Sequence, residues 1–132
     1  MADDANDSTD WRQLREFAGV DLTRSFVLSW LYESGTLIVD IDVFLTPEHA
    51  FYEKPRPAEK VCIRPASIVF PICESFGPDG IADSQLSDIS NNLGIGAIAG
   101  LRRLADDRYE ISGDFGTVFI SAERPLLKLK QR

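Results

Sequence analysis

Between residues 20 and 45, apolar and polar side chains alternate on both sides of Ser34-Gly35, a pair suited to a two-residue hairpin turn. With those residues in the turn, Tyr32 faces Leu37, Trp30 faces Val39, Leu28 faces Ile41 and Phe26 faces Val43. One side of the hairpin is then wholly apolar. On the other side Ser29 faces Asp40, Val27 faces Asp42 and Leu31 faces Ile38. A one-residue slip would carry every side chain to the opposite face, so the alternation predicts this register. Burial of Phe26, Leu28, Trp30 and Tyr32 would contribute roughly 1.5–3 kcal/mol each, which makes the hairpin the expected anchor of the core.

Ahead of it, Trp11, Leu14, Phe17 and Ala18 fall at helical spacing, with Asp10 placed as an N-cap and Gly19 as the terminating glycine. Behind it, residues 46–58 hold three prolines and read as a long loop. Strand patterns return at 59–64 and 67–72, separated by Pro65-Ala66. Proline lacks an amide hydrogen, so Pro65 predicts a bulge, a bend or an edge position. Gly77-Pro78-Asp79-Gly80 is turn chemistry, and Leu86, Ile89 and Leu93 predict a short helix over 84–92. In the last third, a turn at Asp106-Asp107 pairs Leu104 with Tyr109 and Arg103 with Glu110. A reversal at Gly113-Asp114-Phe115-Gly116 follows, then a final strand over 126–130 whose Lys128 and Lys130 share one face, as on a protected sheet edge.

These elements predict a mainly β chain: an antiparallel sandwich or partly open barrel of about seven or eight strands, with one or two short helices. The 132 residues suit a single domain over 11–132, behind an acidic tail (1–10) expected to be disordered. The net charge of −7 argues against nucleic acid or an anionic membrane as partner. Neither a signal-like start nor an apolar run of about 20 residues is present, which predicts a cytoplasmic protein. Cys62 and Cys73 are expected to be free, small core residues.

Candidate chemistry is sparse. Asp40 and Asp42 project from one face of a strand about 6.6 Å apart, a spacing that could hold a cation or divide acid and base roles, although the ordinary alternation of a half-buried sheet makes a solvated outer face the expected reading. His49 lies in the proline-rich loop beside Glu48, Tyr52 and Glu53, where a surface or loop-packing role is expected ahead of a general base or a single ligand of a mixed site. Gly94-Ile95-Gly96 and Gly100 are one residue out of step with a dinucleotide-binding fingerprint, and no phosphate-cradling lysine follows. No catalytic set, metal site or cofactor is therefore assigned.

The segments 17–30, Phe51-Tyr52-Glu53-Lys54-Pro55-Arg56-Pro57 through Pro65, and 100–116 resemble a group of small bacterial proteins, the YxiG-like proteins. The resemblance implies a bacterial cytoplasmic protein and carries over neither a catalytic residue nor a cofactor. Two functions are expected from the residues themselves. The first is a non-catalytic binding module, immunity- or inhibitor-like, whose acidic stretch Glu74, Asp79, Asp83 and Asp88 covers a basic protein. The alternative is a ligand-binding barrel or small enzyme with a pocket walled by Phe26, Trp30, Tyr32 and Phe44, using His49 and the Asp40/Asp42 pair. Pairing of the last strand across a two-fold axis would make a homodimer.

Overall fold

The computed structural model describes residues 9–54, 62–77 and 93–130. Among them nine strands form one antiparallel sheet: β1 (Thr9–Asp10), β2 (Val20–Glu33), β3 (Thr36–Leu45), β4 (Cys62–Phe70), β5 (Ser75–Gly77), β6 (Gly96–Ala105), β7 (Arg108–Gly113), β8 (Gly116–Ser121) and β9 (Leu126–Leu129). The order across the sheet is β5-β8-β7-β6-β2-β3-β4-β9, with β1 pairing β6. The sheet does not close. It curls instead: Phe70 on β4 meets Tyr109 on β7 at 5.7 Å between ring centroids, although three strands separate them in the ladder. Both halves thus enclose one core that includes Trp30, Leu37, Ile41, Ile68, Phe76, Ile111 and Ile120.

The hairpin turn falls where expected. Ser34 and Gly35 have φ of 53° and 76°, the left-handed pair that a two-residue turn between twisted strands requires. Tyr32–Leu37, Leu31–Ile38, Trp30–Val39 and Ser29–Asp40 pair as predicted. Below Ser29 the register breaks. Val27 pairs with Ile41 and Phe26 with Asp42, leaving Leu28 as an extra residue in a bulge. Because side chains alternate strictly, that one residue exchanges the faces. Val27 is buried, whereas Phe26 and Leu28, expected inside, are 50% and 47% exposed. A second irregularity lies between Asp21 and Phe26. There the buried Ser25 hydroxyl donates to the Asp21 carbonyl (2.8 Å) and accepts the Phe44 amide (3.0 Å), replacing ladder bonds with side-chain bonds.

The expected N-terminal helix is instead two 3-10 turns, Trp11–Gln13 and Arg15–Phe17, with Leu14 extended between them. The buried residues Trp11, Leu14 and Phe17 recur every three positions, which matches the three residues per turn of that helix better than 3.6. Asp10 does cap, its carboxylate accepting the Arg12 amide at 3.1 Å. Thr9 and Asp10, placed in the tail by composition, pair with Arg103 and Arg102 on β6.

Pro65 lies inside one continuous strand, β4, rather than between two. Its carbonyl accepts the Lys130 amide at 2.9 Å, just beyond the end of β9. Both main-chain groups of a strand residue face the same neighbour, so the missing N–H points where the ladder is already ending. At the Asp106-Asp107 turn Ala105 pairs with Arg108, but Leu104 is bulged, so Arg102 rather than Arg103 faces Glu110 and forms a salt bridge with it. The helix expected over 84–92 lies outside the described residues.

Candidate functional site

In β2, β3, β4 and β9 one set of alternating residues faces the core and the other faces outward. The outer set forms rows across the strands. One row is polar: Ser29, Asp40, Ser67 and Lys128 stand opposite one another in turn. Asp40 is its centre. Its carboxylate accepts the hydroxyls of Ser67 (2.6 Å) and Ser29 (3.2 Å), and its Oδ1 lies 2.9 Å from the Lys130 ammonium. Partial burial pushes the carboxyl pKa up, but the Ser67 hydroxyl, the Lys130 ammonium and the Ser29 hydroxyl together outweigh it and hold the pKa below its ordinary value. Asp40 is therefore an ionised tie between β3, β4 and the residue after β9.

Asp42 shares the outer face, as its spacing predicts, in a row with Phe26 and Pro65. It takes none of the partners of Asp40. No group of three His, Cys, Asp or Glu side chains able to hold a metal occurs among the described residues.

His49 occupies a turn stitched by His49 N–H to Thr46 carbonyl (2.9 Å) and Tyr52 N–H to His49 carbonyl (3.0 Å). Its Nδ1 accepts the Phe51 amide at 3.0 Å, which fixes the proton of the neutral ring on Nε2. Burial, then the positive charge of Arg64, lowers its pKa. Gly19, with φ of 77°, packs so closely that a Cβ there would lie 2.7 Å from the His49 Cα. The histidine is thus tied into local packing and is not brought to Asp40 or Asp42 by any described contact. Glu74 is exposed on the link before β5, its amide bonded to the Ser121 carbonyl at 2.8 Å. Asp79, Asp83 and Asp88 lie outside the described residues. Cys62 and Cys73 are buried free thiols, and burial pushes the Cys73 pKa up to about 11.

The aromatic rings expected to wall a pocket are distributed differently. The Trp30 indole packs edge-on against Phe115 (5.3 Å) and donates to the Gly94 carbonyl (2.7 Å). Tyr32 packs against Phe76. Among the described residues, the surface concavities of about 240, 330 and 600 Å³ are not lined by Phe26, Trp30, Tyr32, Phe44 or His49.

What sequence reasoning missed is the apolar share of the outer face. Leu31, Ile38, Val69 and Leu126 form a complete apolar row next to the Asp40 row. Leu31 and Leu126 are 47% and 48% exposed, and Phe26 and Ile63 join them on the same face. The signal was present in the alternation, since Leu31 opposite Ile38 already placed two large apolar residues on the polar side of the hairpin.

Among the described residues no helix is long and apolar enough to cross a membrane. Comparison with protein-family models, with curated proteins and with solved structures finds no match to the chain.

Proposed function

We propose that the chain is a non-catalytic interaction module that docks a basic protein, in the manner of an immunity protein or inhibitor. The observation that carries this reading is the apolar row Leu31–Ile38–Val69–Leu126 on the outer face of β2, β3, β4 and β9. Outer faces of antiparallel sheets are ordinarily polar, and exposed apolar patches rimmed by polar groups mark contact surfaces. The sign of the partner follows from the net charge of −7, which draws a basic surface in and speeds encounter at low salt. Of the four rings that would favour a ligand-binding barrel, Trp30 and Tyr32 are engaged with Phe115 and Phe76, Phe44 lies beneath the Arg24 guanidinium, and Phe26 stands half exposed on the outer face.

The test is affinity capture with the tagged chain at low and high ionic strength, beside a Leu31→Asp/Leu126→Asp variant whose fold is verified by circular dichroism. A stoichiometric basic partner, held best at low salt and released by the variant, is expected. Recovery of no stoichiometric partner at any ionic strength refutes the reading.

A further inference from the structure

The 600 Å³ concavity lies on this same face and has a charge pattern of its own. Ile38 and Val69 form its floor, Lys128 and Lys130 stand at one end, and Glu33 and Thr36 at the other. The two lysines are not equivalent. Lys130 is neutralised by Asp40 at 2.9 Å, whereas Lys128 has no carboxylate partner among the described residues. Glu33 likewise is exposed and makes no ion pair among the described residues. The groove therefore presents a cation, an apolar floor and an anion in sequence.

Its length follows from the ladder. Glu33 stands in the row of Thr36 on β2, and Lys128 in the row of Asp40 on β9. Four residues along the strands and three strand spacings across them give a diagonal of about 19 Å. An extended segment of about six residues spans that distance.

We infer that this groove receives an extended segment of a protein partner in which an acidic residue, apolar side chains and a basic residue follow one another over about six positions, the acidic residue at Lys128 and the basic one at Glu33. The inference rests on the proposed interaction function and names the kind of segment that its apolar row would receive. Charge complementarity is what selects this occupant: a uniformly acidic or uniformly basic segment would leave one end of the groove facing a like charge.

The test uses three blocked hexapeptides with the same apolar middle, ending in Glu and Lys, in Glu and Glu, or in Lys and Lys. They are titrated into the full chain by amide chemical-shift mapping. The Glu/Lys peptide is expected to bind about two- to fivefold tighter than either uniform one, the usual size of an exposed ion pair, with shifts centred on Ile38 and Val69. Lys128→Glu should transfer the preference to the Lys/Lys peptide, and Glu33→Lys to the Glu/Glu peptide. Absence of binding by all three, shifts centred elsewhere, or a preference that ignores both charge swaps overturns the inference. A captured basic partner that Lys128→Glu and Val69→Ser leave in place would overturn the groove while sparing the interaction function. Failure to capture any partner would strike that function without touching the peptide result.

Discussion

A hydrogen bond accepted by Nδ1 defines what His49 can do. Protonation of that nitrogen breaks the bond from the Phe51 amide, and burial and Arg64 already disfavour the charged ring. Between the lowered native pKa and the ordinary 6.5, the unfolded chain binds more protons than the native one, so stability rises with pH across that window. The contribution is complete above about 6.5 and lost as pH falls through the native value. Because His49 is the single histidine, His49→Asn should flatten the dependence of the urea midpoint on pH between 5 and 7.5. Asp40 acts in a lower range. Its stabilisation is present above about 3.8 and disappears as pH falls through its depressed native pKa. A second comparison separates the two faces of β2. Trp30→Ala should cost about 3–5 kcal/mol in urea denaturation, having lost a core ring and its bond to Gly94. Phe26→Ser should cost less than about 1 kcal/mol, since its ring is half in water.

At the scale of elements, bulges decided how much could be read in advance. The hairpin turn, the turn at Asp106-Asp107, the reversal from Gly113 to Gly116 and the mainly β class were legible because turn residues and alternation report on neighbours in sequence. Leu28 and Leu104 were not, because a bulge changes no composition and its cause lies in how the strand must bend against distant partners. The site was legible in the same measure. Asp40 was found by alternation, but its ties to Ser67 and Lys130 depend on which strands lie beside β3, and the extension of the neighbouring apolar row to Leu126 depends on β9 joining β4. The bend of β6 offers a test of this scale. Its Gly96 and Ala97 pair with β2 while Ile98 onward pairs with β7, and Gly113 sits against that corner. A Cβ on Gly113 would come 2.1 Å from the Ala97 carbonyl oxygen, whereas one on Gly100 would meet nothing within 4 Å. Gly113→Ala should therefore lower stability by about 1–3 kcal/mol or more, and Gly100→Ala by much less, as measured by thermal unfolding.

For the whole molecule, the curl of the sheet makes one cooperative unit of segments far apart in the chain. The short link after β4 ties three places together: the Pro71 carbonyl accepts from Glu123, Cys73 donates to Gly35, and Glu74 donates to Ser121. The buried thiols report on that unit. Cys73, with its pKa near 11, should react with a disulfide reagent at pH 8 at a rate set by opening of the core, and urea should accelerate it in step with global unfolding.

The place of β9 beside β4 has a consequence for biosynthesis. Ala66 waits for Leu129, so the outer rim of β4 has no neighbour until the segment 126–129, about sixty residues further along the chain, has been synthesised. A nascent or truncated chain ending at Arg124 would present that bare rim to other copies, and self-association of such a truncation, relieved by adding back residues 125–132, is the outcome to look for.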